Sequence, residues 1–428
     1  MHKVTNPRED LLSIYNHALF AVNGRKAVVA ELLSNPYHSH LALIAIGKAA
    51  TQMAVGAFDV LGTLINPALL ITKKGHLDKQ LLQDYPITCL ESAHPVPDAT
   101  SLAAGKTLLD FIKTLPPQYP VLVLISGGTS ALVEVLAPFV TLADLQRVNH
   151  WLLGSGLDIH AMNQIRKSLS AIKGGRLAHY LTGHPLLNLL ISDVPRDDLQ
   201  AIGSGLLSYH SSMNSEKDSI NCLPDWLRTL ITKACPLPPP SCFTNITQRL
   251  IANPQNARQA AGSAAKKLGY PVFNNETLIV GEAQLAGRNL AQKLCHASAG
   301  IHVWSSETTV HLPSSPGKGG RCQSLALAAA YEIAGLPDVY FLAAGTDGND
   351  GSGEAAGALI DGGTLARGNQ KGFEARRCLE RADAGSFLAA SGDLIYTGPT
   401  GTNVMDILIA LSNSRKSHDN NFLLPFGR

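Results

Sequence analysis

VLVLISGGTSAL, residues 121–132, decides how this chain is read. Val121 to Ile125 form an apolar run with no alternation, which predicts a strand buried on both faces of a sheet. The run breaks into Ser126-Gly127-Gly128-Thr129-Ser130 and then turns helical. A strand that feeds a helix through small residues aims several backbone N–H groups at one spot, and the helix dipole adds positive potential there. A phosphate or carboxylate suits that spot; the plain alternative is a tight turn with no ligand.

The same pattern recurs on either side. Leu41 to Gly47 is a second buried strand, and Lys48 stands where the next helix begins. A cation there opposes the helix dipole at a cost of a few tenths of a kcal/mol, roughly, so a phosphate partner is expected. No GxxxxGK[ST] loop exists, so this is not a Walker A site. His94-Pro95-Val96-Pro97-Asp98 is a proline-stiffened loop bringing a histidine near the same end, with Asp98 placed to cap the helix after it. Thr141 with Asp144 reads as a capping box. Arg166, Ser170 and Lys173 fall at i, i+4 and i+7, one face of a helix that could meet a polyanion or simply face water. Pro185 to Ser192 is another buried strand. Asp193 follows it directly, as a general base or a Mg²⁺ contact.

Pro236 to Pro240 is the stiffest break in the chain and predicts domains of residues 1–235 and 241–428. In the second, Gly317-Lys318-Gly319-Gly320-Arg321 precedes a helix over Gln323 to Ile333, with Arg321 read as an anion contact. Val339 to Ala344 is a strand ending in Gly345-Thr346-Asp347-Gly348, where Asp347 could chelate a divalent ion or form an Asx turn. Thr397 to Asn403 supplies hydroxyls and an amide at the start of an expected last helix. Strands that repeatedly hand over to helices predict two α/β domains, a Rossmann-like one and a smaller one, facing across a cleft.

Composition bounds the function. At 428 residues, 45% hydrophobic and 16% charged, the chain reads as a globular enzyme of more than one domain. A net charge of +2 leaves no electrostatic footprint for nucleic acid. No apolar run reaches the ~20 residues that span a bilayer, and MHKVTNPRED lacks a signal-peptide core. Seven cysteines with no C-x-x-C pair indicate neither a disulfide frame nor a zinc ribbon. A cytoplasmic protein with no membrane partner is expected, with a homodimer left open.

GKAA at Gly47, HPVPD at His94, SGGTSAL at Ser126, NQIRKSLSAIKGGRLA at Asn163 and ISDVPRDD at Ile191 resemble the type-2 glycerate kinase (glycerate 2-kinase) family. ETTV at Glu307, GGRCQ at Gly319, GTDGNDG at Gly345 and TGPTGTNV at Thr397 resemble its C-terminal MOFRL domain. The resemblance implies transfer of the γ-phosphate of ATP to D-glycerate with Mg²⁺. It implies Lys48 and Arg321 as neutralising cations, with Asp193 at the substrate hydroxyl or metal. Ser126, Gly127, Gly128 and Ser130 would hold anionic oxygens, aided by His94, Arg166, Lys173 and Asn403, with Asp347 as a further metal contact. Arg196, Leu206 and Cys322 depart from the pattern, standing where the family carries glycine, proline and asparagine. Two other readings stay open: an oxidoreductase of hydroxypyruvate or a related 2-hydroxy acid, and a non-catalytic small-anion binding protein. The first lacks a GxGxxG after any expected strand.

Overall fold

The computed structural model describes residues 6–155, 159–210, 223–233 and 235–413. The chain folds into two compact units, each treated by itself. One holds residues 21–254 and 399–404; the other holds the chain up to Phe20, residues 255–398 and the chain from Met405.

The first unit is built on six parallel strands: β1 (Leu41–Ile46), β2 (Ile65–Lys73), β3 (Thr88–Ser92), β4 (Val121–Ile125), β5 (Leu186–Ile191) and β6 (Ile246–Ala252). Their order across the sheet is β3-β2-β1-β4-β5-β6. The chain winds one way from β1 to β3, then returns and winds the other way from β4 to β6. The direction therefore reverses between β1 and β4, the switch point outside which ligands gather in open parallel sheets. β1, β4 and β5 are buried at every residue, as their unalternating apolar runs require. Ile44, Val123, Ile125 and Leu190 share a core with Leu108 and Ile112 of the helix Ala99–Lys113. Asp98 caps that helix through Thr100 N at 2.7 Å, and Thr141 and Asp144 form the capping box of Leu142–Gly154, both as expected.

The second unit carries a seven-stranded mixed sheet: β7 (Val272–Asn274), β8 (Ile279–Glu282), β9 (Gly300–Thr309), β10 (Val339–Gly345), β11 (Gly357–Asp361), β12 (Leu394–Ile395) and β13 (Asp406–Ser412). β10 lies antiparallel to both β11 and β13, while β7 and β8 run parallel to β9. The helices Ala283–Cys295 and Arg321–Glu332 cover it over a core of Leu290, Leu325, Phe341, Phe387 and Leu408.

Three expectations are corrected here. The proline run at 236–240 is not where the compact units part, because β6 follows it and completes the parallel sheet beside β5. The first helix, Pro7–Ala21, belongs to the mixed-sheet unit: Leu11, Ile14, Tyr15 and Ala18 line its buried face, and Tyr15 donates to the Gly345 carbonyl at 2.7 Å. The segment after Asn403 is strand β13, not a helix. Its run DILIALS is apolar from Ile407 to Leu411 and pairs on both sides, with β9 and β10. The outer ends of the two expected domains, residues 1–5 and 414–428, lie outside the described residues.

Candidate active site at the carboxyl ends of the central strands

Gly47 leaves β1 with φ 131°, and a Cβ there would stand 2.1 Å from Ser126 Oγ. Only glycine lets the two strand ends approach this closely. The approach is locked by hydrogen bonds: Ser126 N to Ile46 O at 3.0 Å, Lys48 N to Gly127 O at 2.9 Å and Ala49 N to Ser126 Oγ at 3.0 Å. Ser126 is thus spent on the backbone of the β1 turn, and Thr129 Oγ1 ties the same turn through Ile46 O at 3.0 Å.

Around this knot the switch point gathers its side chains. A Cβ on Gly128, at φ 88°, would lie 3.2 Å from both His94 Cδ2 and Lys48 Cγ. A Cβ on Gly127 would fall 1.8 Å from Asn403 Nδ2 and 2.0 Å from Asp193 Oδ2. Asn403 donates to Asp193 Oδ2 at 3.1 Å. Ser130 Oγ lies 2.6 Å from Ser204 Oγ. Lys48, His94, Ser126, Gly127, Gly128, Ser130, Asp193 and Asn403 are therefore brought together in the parallel-sheet unit, to which the Asn403 segment, expected in the second domain, belongs. In sequence Gly203-Ser204-Gly205 reads only as a small-residue turn, and that spacing is the one signal Ser204 carries.

Arg166 and Lys173 do not share a helix face. The helix Ile159–Ser168 ends before Ser170, which forms a bridge with Leu136. Arg166 is held by Asn149 Oδ1 at 2.9 Å and Asn163 Oδ1 at 3.3 Å. Lys173 is buried and ion-paired with buried Glu134. Nearby, Lys167 donates to the Gln200 carbonyl at 2.9 Å, and burial lowers the pKa of its ammonium. Burial, with Lys167 next, brings His210 down to about 4.

In the mixed-sheet unit, Arg321 opens its helix but pairs with Glu307 and, at 3.1 Å, with Asp406. Burial acts to lower its pKa; Asp406 and Glu307 outweigh that and raise it. The anion at this helix start is the protein's own. Asp350 accepts from Cys322 N at 3.1 Å and from Gln323 N at 2.8 Å. Full burial, then the neighbouring Asp406, push the Asp350 carboxyl up to about 7. Asp347 accepts from Asn349 N at 3.0 Å, an Asx turn. Among the described residues no group of three or more His, Cys, Asp or Glu could hold a metal ion. Nor is any helix of the described residues long and apolar enough to cross a membrane.

Comparison with known proteins places these features in a family. A model described as a domain of unknown function (DUF4147) matches residues 10–223, and the MOFRL family model matches residues 300–406. The D-glycerate 2-kinase of Thermotoga maritima is 35% identical over 394 residues, covering 90% of this chain and 93% of that protein. A protein of Agrobacterium vitis that carries a provisional hydroxypyruvate reductase name is 33% identical over 415 residues, 94% of this chain and 93% of its own. The crystal structure of glycerate kinase from Thermotoga maritima superposes with a TM-score of 0.78 at 33% identity, covering 95% of this chain and 99% of that one. The chain belongs to the glycerate 2-kinase family, with the DUF4147 and MOFRL parts in that order.

Proposed function

We propose that this protein is a glycerate kinase that transfers the γ-phosphate of ATP to the 2-hydroxyl of D-glycerate, giving 2-phosphoglycerate. The observation carrying the reading is the convergence of Lys48, His94, Gly127, Gly128, Asp193 and Asn403 at the switch point of a parallel sheet. Phosphoryl transfer needs positioning and charge neutralisation more than covalent help. Lys48 is proposed to neutralise phosphate charge, and Gly128 is proposed to let a phosphate oxygen approach the backbone beside Lys48 and His94, while the space at Gly127 is taken by Asp193 and Asn403. Asp193, oriented by Asn403, is proposed to accept the substrate hydroxyl proton or to hold Mg²⁺.

Mg²⁺ keeps several waters and binds through one or two carboxylates plus substrate phosphates rather than a full protein cage. Asp193 fits that role as the carboxylate that stands just beyond the end of β5 and against the Gly127 turn, beside the proposed phosphate position. When bound, the ion supplies neutralisation of phosphate charge. In the other unit, Arg321 is proposed as a second phosphate cation, which requires it to exchange Glu307 or Asp406 for the ligand. Asp347 is kept as a proposed metal-facing carboxylate of that unit.

The Agrobacterium relative's name favours a second reading, reduction of hydroxypyruvate by a nicotinamide cofactor. Against it, β1 leads into Gly47-Lys48-Ala49-Ala50, which is not the dinucleotide fingerprint. An ADP-release assay with Mg-ATP and D-glycerate, run beside an NADH-consumption assay with hydroxypyruvate, separates the two. ADP release dependent on D-glycerate supports the kinase; NADH consumption without ATP overturns it.

A further inference from the structure

A closed ring of contacts stands behind the switch point, inside the parallel-sheet unit. Ser130 Oγ meets Ser204 Oγ at 2.6 Å. The Ser204 carbonyl accepts from Gly174 N at 3.0 Å, and Gly205 O accepts from Gly175 N at 2.7 Å. Lys173, the residue before Gly174, pairs with Glu134, and the two side chains are 4% and 1% exposed. From Glu134 the chain leads back over four residues to Ser130, through the short helix Thr129–Leu132. Glu134 N also donates to Ser101 O at 3.1 Å, anchoring the ring to the helix that follows the His94 loop.

Two features of this ring call for a reason. A buried ion pair is poor value for stability, because an apolar pair of similar volume often does as well; its best-attested use is to fix register. Glu134 Oε1 has no hydrogen-bond partner among the described residues, so the carboxylate is committed to Lys173 alone. Ser204 is held at φ 61°, a left-handed conformation that disfavours any residue but glycine. The product of both costs is one fixed pair of hydroxyls. Two hydroxyls carry two protons, and the hydrogen bond between them uses one. The second is left to donate outward.

We propose that the Ser130–Ser204 hydroxyl pair donates a hydrogen bond to an anionic oxygen of the bound substrate, phosphate or carboxylate. Lys173 and Glu134 are positioning residues that hold the pair, and Lys173 is not itself a phosphate ligand. This rests on the kinase reading for the identity of the substrates, but not for the ring.

Steady-state kinetics of the full chain, varying Mg-ATP and D-glycerate in turn, test it together with calorimetric affinities for Mg-ADP and D-glycerate. Ser204→Ala is expected to raise KM for one substrate about tenfold while kcat stays within about threefold. A rise for Mg-ATP identifies a phosphate oxygen, and a rise for D-glycerate identifies the carboxylate. Glu134→Gln, Lys173→Met and the combined Glu134→Leu/Lys173→Met are expected to weaken the same ligand, with no further loss when Ser204→Ala is added to the combination. Should the buried variants fail to fold, Ser204→Ala and Ser130→Ala decide the matter. Unchanged KM values and affinities in those two overturn the proposal. So does weakened Mg-ATP binding in Lys173→Met with Ser204→Ala and Glu134→Gln unaffected. A folded wild-type chain that binds these ligands without transferring phosphate overturns the kinase reading instead, and the ring is then judged on the affinities.

Discussion

Asn403 donates to Asp193 across 210 residues of sequence, and Gly127 is the residue whose missing side chain lets them meet beside the β4 turn. Three separate chain segments thus converge on one carboxylate oxygen. The Cβ of Gly127→Ala would overlap both partners, so alanine there is expected to displace Asp193 rather than unfold the sheet. Steady-state kinetics should show kcat/KM down about 100-fold, in the range that ångström-scale misplacement costs. A drop of less than about threefold would take Asp193 out of the reaction.

Arg321 is joined to Glu307 and to buried Asp406, so removing it leaves two carboxylates without their cation. Arg321→Ala is expected to lose about 2 kcal/mol of stability, between the values typical of exposed and buried pairs, as well as most turnover. Arg321→Lys should recover part of the stability and little of the turnover, since an ammonium cannot serve both carboxylates in the guanidinium's fork geometry. Urea melts beside kinetics for the two variants check this.

Arg196 stands at φ 61° in the loop after Asp193, exposed and, among the described residues, without a hydrogen bond or ion pair. Glycine adopts that conformation without strain but loses more entropy on folding. Arg196→Gly is therefore expected to leave stability unchanged or to raise it by up to about 1 kcal/mol. A thermal melt that falls by several degrees would show that the arginine is held by a contact.

Asp350 and His210 predict opposite pH dependences. The folded-state pKa of Asp350, about 7, lies above its ordinary 3.8. Its contribution to stability is complete below about pH 4 and is lost as pH rises through 7, by at most about 4 kcal/mol. The folded-state pKa of His210, about 4, lies below its ordinary 6.5. Its contribution is present above pH 6.5 and is lost as pH falls through 4. The two effects offset between pH 4 and 6.5, so urea midpoints there should stay nearly level, and in Asp350→Asn they should rise with pH because the His210 contribution is left alone. An unaltered profile in that variant would take Asp350 out of the pH dependence.

The parallel sheet was legible because β1, β4 and β5 are buried on both faces and carry unbroken apolar runs. The turns that follow them were legible from glycine and serine, whose smallness the close approach of Gly47 to Ser126 requires. β6 was not, because ITQRLIA is only partly buried and carries no clear period. β13 reads as a helix in sequence because an unbroken apolar run of five, Ile407 to Leu411, has no period to distinguish the two forms. The functions of single charges were least legible. Lys173 and Arg321 sit in motifs that suggest anions, and both meet the protein's own carboxylates, which stand outside those motifs, 39 residues away for Glu134 and 14 and 85 for Glu307 and Asp406. Asp350 likewise takes the helix start where the glycine loop suggests an anion.

The most direct test of the account is ³¹P NMR of the products formed by the purified chain from Mg-ATP and D-glycerate. The account predicts ADP and 2-phosphoglycerate in equal amounts. A folded protein that forms no phosphoglycerate would contradict it.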